Sequence, residues 1–412
     1  MKNLLSLVLV LAAAVANAGI DPTPQQDAKY RKLYPLFIDA CSAGLRVTRP
    51  DNKGQPWGHG ALLIRGAELD LSQGYPRLRV KTRGPGNEVG VSADGQFNNI
   101  NWVGVPGEKL FFYGDLDSRA KLTNDVRNAL IERMIKTGWF SMVQSDRWTM
   151  ARDRDEEMQM ILNEAIPIDV AMAWGRETLC QRIPVNEKQL QSVVEYLNRV
   201  NHYYFVEGHK YTWDFLTNSC GHLANNGMHA AGVVEEKKVD QKGLEKFFNI
   251  SIPTNFFLHA VRDTSSEKFP SFKKLIDDDE EVETFMRFGM IPAQDGALTR
   301  RLRPHGYDNP ALNEVYDPRA SKSQYLDIHL FKSNNSLVRK FTTDASYSDL
   351  KPNLEKFLAI YRKNLANAEK LNLQDLEMDN EVRSYTLDQV HAAYINYLRT
   401  KIKDVESKLA QL

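Results

Sequence analysis

The chain has 412 residues, with 53 lysines and arginines against 53 aspartates and glutamates, so its formal net charge is zero. A neutral chain without a basic block lacks the positive surface that nucleic-acid binding needs, so nucleic acid is not an expected partner. Its 42% hydrophobic and 10% aromatic residues are typical of a globular protein, and its length allows two or three domains of about 100–200 residues each.

Residues 1–18 have the pattern of a secretory signal peptide. Lys2 supplies the positive start, Leu4 to Val15 form an apolar segment too short to span a bilayer, and Ala16-Asn17-Ala18 match a cleavage site. We therefore expect cleavage near Ala18 and a mature protein that is periplasmic or secreted. No later segment reads as apolar enough to cross a membrane, so the mature chain is expected to have no transmembrane segment.

Residues 19–115 are expected to form the β-rich half of a core. Short apolar runs are separated there by turns that contain glycine or proline, which is the pattern of a sheet of short strands. The clearest run is Trp57-Gly-His59-Gly-Ala-Leu-Leu-Ile-Arg65, which predicts a buried strand with His59 at its head. Other strands are predicted within 36–49, 68–71, 89–91, 102–105 and 110–113.

Residues 116–200 are expected to form a helical insertion, because apolar residues recur there at helical spacing instead of in the short runs that predict strands. The clearest helix is predicted over 186–200, where apolar residues form a stripe along one side. Residues 201–270 follow as the half of the core that contains Cys220.

The C-terminal part divides into two regions. Residues 271–345 show no clear period and are expected to be an irregular connecting region, in which Arg300, Arg301 and Arg303 are interpreted as surface charge. Residues 346–412 carry apolar residues at three- and four-residue spacing. This spacing predicts a helical C-terminal extension, whose helices pair with each other or with the body.

The stretch from Tyr211 to Gly232 predicts an aromatic run, a polar turn and then a helix that begins at or next to Cys220. Asn218 and Ser219 are residue types that favour the helix N-cap, and Gly232 is one that favours the position after the helix. Small and apolar residues recur at helical spacing and predict a face that packs closely, namely Leu223, Ala224, Gly227, Met228 and Ala231.

A thiol in the first turn of a helix lies at the positive end of the helix dipole, which lowers the thiol pKa and favours the thiolate. Cys220 is therefore a candidate nucleophile, and the alternative is a buried structural cysteine. A nucleophilic thiol needs a base. Among the nine histidines, His59 is the favoured base because the flanking glycines leave room for a substrate. The alternative is a histidine that makes a hydrogen bond at a strand end.

The sequence contains three cysteines, Cys41, Cys180 and Cys220. If Cys41 pairs with Cys180, then Cys220 stays free, as a nucleophile requires. The alternatives are that no disulfide forms or that Cys220 is itself bridged, and the sequence leaves the connectivity open.

The pair Trp57-Gly-His59-Gly-Ala-Leu-Leu-Ile and Asn218-Ser-Cys220-Gly-His222-Leu resembles the two halves of circularly permuted papain-like (NlpC-type) thiol enzymes. In permuted members the His strand precedes the Cys helix, as here. The segment around Cys220 is similar to the signature of lecithin retinol acyltransferase-like proteins, with one residue inserted. The aromatic run before it resembles the Lnb N-terminal periplasmic domain family. The resemblance covers about residues 40–115 and 200–232.

The resemblance implies an α+β fold, with an antiparallel sheet packed on the Cys helix, in which Cys220 is the nucleophile and His59 the base. It also implies a third polar group on the strand after the His strand, for which Glu68 is favoured slightly over Asp70. That position is often histidine in the family, and none is present here. The backbone N–H of Cys220 is expected to contribute to an oxyanion hole, to which Asn218 is a second candidate, although N-capping is the more expected role of Asn218.

These residues predict a periplasmic or secreted cysteine hydrolase or acyltransferase. Its expected substrate is an envelope peptide, a peptidoglycan amide or a lipid ester. The alternative is a catalytically inactive papain-like binding or scaffold protein of the envelope. No His-x-x-x-His or Cys-x-x-Cys spacing occurs, so no metal or other cofactor is expected.

Overall fold

The computed structural model describes residues 22–43, 59–93, 95, 97–113, 178–214, 216–234, 253–302, 307–309, 314–316, 332–376 and 384–412, with a few single positions between 125 and 142. The expected signal peptide 1–18, the pair Trp57-Gly58 and most of the expected insertion 116–200 lie outside the described residues.

The strands are β1 (Phe37–Ala43), β2 (His59–Arg65), β3 (Ala67–Asp70), β4 (Arg77–Val80), β5 (Glu88–Ala93), β6 (Trp102–Pro106), β7 (Thr178–Pro184), β8 (Leu298–Leu302), β9 (Tyr307–Asn309) and β10 (Glu314–Tyr316).

The α-helices are α1 (Pro24–Leu33), α2 (Glu108–Tyr113), α3 (Glu187–Phe205), α4 (Cys220–Ala230), α5 (Pro253–Thr264), α6 (Phe272–Ile276), α7 (Asp279–Phe288), α8 (Lys332–Thr343), α9 (Ala345–Ser348), α10 (Leu350–Ala368) and α11 (Leu387–Leu409).

Six strands form one antiparallel sheet in the order β6-β5-β2-β1-β7-β8. Every residue of β1 is buried, because helices cover both faces of the sheet at its centre. The hairpins β3–β4 and β9–β10 form separate two-stranded sheets. The chain is thus an α+β protein with an antiparallel sheet and several helices, which confirms the coarse fold class.

Three parts of the structure differ from the sequence-based expectations. Strand β7 falls inside the expected helical insertion 116–200, yet it pairs with β1 near the centre of the sheet. The expected irregular region 271–345 contains helices α6 and α7 and strand β8. The predicted strand 110–113 belongs to helix α2. Strand β7 escapes detection because Gln181 and Arg182 interrupt its apolar run, although both are buried.

The predicted helix over 186–200 is confirmed as part of α3. Asn186 and Gln189 form a reciprocal capping box that satisfies backbone N–H groups at its start. Leu190, Val193 and Leu197 are buried, as their spacing indicates. Helix α1, in contrast, occupies a region with no predicted helix, and it begins with a capping box between Thr23 and Gln26.

The two faces of the sheet differ in what lies on them. Leu62 faces α4, where a Cβ added to Gly227 would lie only 2.9 Å from Leu62 Cδ1. We call this side the α4 face. The other side, which we call the Cys41 face, carries the disulfide between Cys41 and Cys180, whose Cα atoms are 4.1 Å apart at directly opposed positions of β1 and β7. Of the alternatives left open by the sequence, the structure contains the one in which Cys41 pairs with Cys180 and Cys220 forms no disulfide.

A cluster of charged residues, which we call the Asp39 cluster, also lies on the Cys41 face. Asp39 is fully buried and accepts two hydrogen bonds from Arg182, at 2.8 and 2.9 Å, and one from Arg300 at 2.7 Å. Burial by itself would raise the pKa of Asp39, but the two guanidinium groups outweigh burial and hold the pKa below its ordinary value. Arg300 is therefore a core residue, and its interpretation as surface charge is wrong.

The C-terminal extension is helical and pairs both with itself and with the body. Helices α10 and α11 pack together, and Lys401 and Lys408 of α11 reach the buried carboxylate of Asp295 at 2.8 and 3.2 Å. Tyr34 and Tyr361 donate hydrogen bonds to the same carboxylate. Burial opposes ionisation of Asp295, but the two ammonium groups hold its pKa well below the usual range. This second cluster fixes α11 against the residues that follow α1.

Candidate active site

Helix α4 begins at Cys220, as the sequence predicts. Ser219 has extended backbone geometry and is the N-cap, and Gly232 adopts the left-handed conformation just beyond the end of the helix. Cys220 is a free thiol, 8% exposed, in the first turn. Its sulfur therefore lies at the positive end of the helix dipole, where a thiolate is favoured.

The start of α4 lies against the first residues of β2. The Gly60 N–H donates a hydrogen bond to Cys220 Sγ at 3.4 Å, within the range for sulfur acceptors. A Cβ added to Gly60 would lie 3.5 Å from the Gly221 nitrogen, so the two backbones are in close contact. The structure thus brings Cys220 to the residue that follows His59.

His59 is the first residue of β2 and is 6% exposed. Its Nε2 is hydrogen-bonded to Ser92 Oγ at 2.5 Å. Ser92 lies on β5, the neighbour of β2 in the sheet, and is 1% exposed. A hydroxyl that holds one ring nitrogen fixes the orientation of the imidazole.

Strand alternation shows which side chains lie on each face at the start of β2. Gly60 and Leu62 face α4, so His59, one position earlier, belongs to the Cys41 face together with Ala61. The hydrogen bond to Ser92 agrees with this placement, because both side chains must share a face. Cys220 approaches the same end of β2 from the α4 face. The thiol is therefore hydrogen-bonded to the residue next to His59, at the same end of the strand.

Glu68 and Asp70, the expected third residues, make their described contacts with groups other than His59. Both lie on β3, which leaves the main sheet to pair with β4. Glu68 forms ion pairs with Arg79 and with Lys81, and Asp70 accepts a hydrogen bond from the Ser72 N–H. The next strand of the sheet after the His strand is β5, so the residue that contacts His59 is Ser92.

Ser92 carried a usable signal in the sequence. The run around 89–91 was predicted as a strand, and Ser92 extends it by one residue. A small polar residue inside a buried apolar strand needs a hydrogen-bond partner. Its register against β2 could not be inferred, because the hairpin β3–β4 lies between the two strands along the chain.

Asn218 serves neither as the N-cap nor as a donor aimed at Cys220. Its amide group donates to Tyr204 Oη and to the Thr212 carbonyl, both at 3.2 Å, and its Oδ1 accepts from the Asn101 side chain at 3.4 Å. Asn218 therefore anchors the segment before α4 to α3 and to the β5–β6 connection. The expected oxyanion role has no support in these contacts.

His222 stabilises the first turn of α4. Its Nδ1 accepts a hydrogen bond from the Ser219 N–H at 3.2 Å and lies 2.8 Å from Ser219 Oγ. This arrangement resembles a capping box, with an imidazole in place of the usual Glu or Gln. It turns the ring back toward the N-cap.

Within the part of the chain that the structure describes, no three His, Cys, Asp or Glu side chains are grouped so as to hold a metal ion. No helix in the described ranges combines the length and apolar character needed to span a membrane. Comparisons with models of known protein families, with curated proteins and with solved structures found no match to this chain.

Proposed function

We propose that this chain is a cysteine hydrolase or acyltransferase in which Cys220 is the nucleophile, His59 the base and Ser92 the residue that orients His59. One observation carries the proposal. A free thiol at the start of a helix is hydrogen-bonded to the main chain next to a histidine that is itself held by a serine hydroxyl. Nucleophile, base and orienting group are the three parts that thiol catalysis uses.

In the proposed reaction, the Cys220 thiol transfers its proton to the imidazole of His59 while Sγ attacks the carbonyl carbon of an ester or amide. The C–O or C–N bond breaks, and the leaving group takes the proton from the imidazolium. Water or an acceptor hydroxyl or amine then attacks the thioester and releases Cys220 as a thiol. The backbone N–H of Cys220, in the first turn of α4, is a donor for the developing oxyanion.

The order of the elements supports a permuted papain-like arrangement of this core. The strand with His59 precedes the helix with Cys220 along the chain, and the helix packs on an antiparallel sheet. We further propose that the protein acts in the periplasm or outside the cell, on an amide or ester of the envelope. The signal-like residues 1–18 support this location, and a disulfide accords with an oxidising compartment.

The test is the pH dependence of iodoacetamide labelling of the chain that begins at Gly19. We expect Cys220 to be alkylated rapidly well below the pH at which an ordinary thiol reacts, about 8.5. The variant His59→Ala should require a higher pH for the same rate. The matched control is His229→Ala, which removes a histidine from the far end of the same helix, where it contacts the Val234 carbonyl.

Equal labelling profiles in the wild type and in His59→Ala would contradict the proposal. They would favour the second candidate, a catalytically inactive papain-like binding or scaffold protein. In the observed site a neutral hydroxyl, Ser92 Oγ, is hydrogen-bonded to His59. A hydroxyl stabilises an imidazolium less than a carboxylate does, which is the reason to test this candidate.

A further inference from the structure

Among the described residues, the exposed large hydrophobic side chains all belong to the stretch 203–216, which runs from the end of α3 toward Cys220. They are Tyr203, Val206, Trp213 and Leu216, exposed by 44, 54, 41 and 47%. Single exposed apolar residues scattered over a surface need no explanation. Trp213 and Leu216, however, share one turn directly before α4, which makes this pair a candidate binding surface, whereas Tyr203 and Val206 lie at the end of α3.

Trp213 lies at the end of the sheet that contains the candidate site. A Cβ added to Gly95 would lie 3.0 Å from both Cβ and Cγ of Trp213, so the Trp213 side chain rests on the backbone at Gly95. Gly95 follows shortly after Ser92 on the same chain segment, and Trp213 shortly precedes Cys220. The tryptophan is thus tied through short connections to both Ser92 and Cys220.

The turn that carries Trp213 and Leu216 is held by hydrogen bonds at both ends. Asp214 Oδ1 accepts from the backbone N–H groups of Leu216 and Thr217 at 2.9 and 2.8 Å, and the main chains of Asp214 and Asn218 form a bridge. The Asp214 hydrogen bonds, from Thr217 first, hold the pKa of this carboxyl below its ordinary value. The carboxylate therefore stays ionised and keeps the turn formed at neutral pH.

An ordered turn that leaves apolar side chains in water forgoes about 25 cal/mol of hydrophobic free energy for each Å² of exposed apolar surface. This free energy is gained when an apolar group covers the side chains. We infer that Trp213 and Leu216 bind an apolar group of the substrate next to the carbonyl that Cys220 attacks. The inference rests on the proposed function and names its substrate class, an ester or amide with an apolar acyl part.

The test compares thiol reagents that differ in their apolar part, because such reagents report binding beside Cys220 whether or not turnover follows. We expect N-hexylmaleimide to react with Cys220 faster than N-ethylmaleimide, by about tenfold relative to the ratio for free N-acetylcysteine, which corresponds to about 1.4 kcal/mol. Trp213→Ala and Leu216→Ala should each reduce this ratio toward that of N-acetylcysteine. A second arm of the experiment uses N-benzylmaleimide. The hexyl reagent mimics an acyl chain and the benzyl reagent mimics an aromatic peptide side chain, so comparing their rates distinguishes the two.

The matched control is Val206→Ala, which removes an apolar side chain that is exposed even more but lies at the end of α3. It should leave the ratio unchanged. The inference is overturned if wild-type protein and N-acetylcysteine show equal ratios in both arms, or if Val206→Ala lowers the ratio as much as Trp213→Ala. Either result leaves the proposed function standing, because that proposal is judged on the separate effect of His59→Ala on iodoacetamide labelling.

Discussion

The Asp39 cluster and the Cys220 site both contain buried titratable groups, yet they are held in different ways. In the Asp39 cluster charge is matched by charge, with guanidinium groups around each carboxylate. At the Cys220 site the known contacts are a backbone N–H, a helix terminus and a neutral hydroxyl. The ion-paired residues of the Asp39 cluster are Asp27, Asp39, Glu88 and Glu108 with Arg31, Arg65, Arg182 and Arg300.

The comparison shows that a strongly shifted pKa does not by itself mark an active site in this molecule. Burial opposes the ionisation of Asp27, Asp39 and Asp295, and the neighbouring cations nevertheless lower all three pKa values. These carboxylates hold α1, the sheet and α11 together. The candidate chemistry lies instead at a thiol that accepts a hydrogen bond from a backbone N–H and at an imidazole that is hydrogen-bonded to a serine hydroxyl.

The largest expected effect comes from breaking the charge balance of the Asp39 cluster. Asp39→Asn leaves Arg182 and Arg300 buried without their carboxylate, so we expect a loss of about 3–5 kcal/mol in the free energy of unfolding, measured by urea titration. The control Glu406→Gln breaks an exposed pair with Arg362 and should cost less than about 1 kcal/mol. Similar losses for both variants would show that the Asp39 cluster is not a stabilising core.

The same comparison predicts how stability depends on pH. A carboxyl whose pKa is lower in the folded state stabilises the fold above its unfolded pKa, about 3.9, and this contribution is lost as the pH falls through the folded pKa. We therefore expect the free energy of unfolding to fall steeply with pH below about 4. Measured by urea titration at successive pH values, Asp39→Asn should show a shallower fall, because one of the carboxyls with a lowered pKa is gone. Equal slopes would contradict the role assigned to Asp39.

A smaller effect is expected at the Cys220 site itself. Ser92→Ala removes the hydrogen bond to His59 Nε2, so the imidazole loses its fixed orientation, and we expect alkylation of Cys220 near pH 6 to slow by about tenfold. The pH at half-maximal labelling should also rise, which a purely structural serine would not cause. Ser192→Ala on α3 is the control. An unchanged profile for Ser92→Ala would remove Ser92 from the site.

The smallest effect is expected at Glu68. Because Glu68 pairs with Arg79 and Lys81 on the separate β3–β4 hairpin, Glu68→Gln should leave the rate and pH profile of Cys220 labelling within experimental error. A large effect would restore the sequence-based expectation that Glu68 orients His59, and it would require a different arrangement of β3.

Much of the candidate site was accessible from the sequence because its signals are local. The start of α4 at Cys220 follows from capping residues and helical spacing, and the strand that begins at His59 follows from a short apolar run between glycines. The polarity of Ser92 within an apolar strand is also a local signal, but its contact with His59 was not accessible, because that contact depends on which strands become neighbours. Strand neighbours depend on the topology of the whole sheet. Here the hairpin β3–β4 forms a separate sheet, and β5 pairs with β2.

The fold was less predictable where charged residues are buried. Arg182, Asp39 and Arg300 resemble surface charges when each is considered alone, and their burial depends on one another. Strand β7 and strand β8 were missed for this reason. The tail was predicted as helical, but its attachment through Asp295 requires a single acidic residue far from α11 in sequence.

The positions of the three cysteines bear on whether the disulfide can exchange with the third thiol. A reactive thiolate attacks a disulfide only if it can reach one of its sulfur atoms. Cys41 and Cys180 are both 0% exposed and lie on the Cys41 face, while Cys220 belongs to α4 on the opposite side of the sheet. The complete burial of both bridge residues thus shields the disulfide from the chain's own nucleophile. The folded protein can therefore carry a permanent bridge and an activated thiol together.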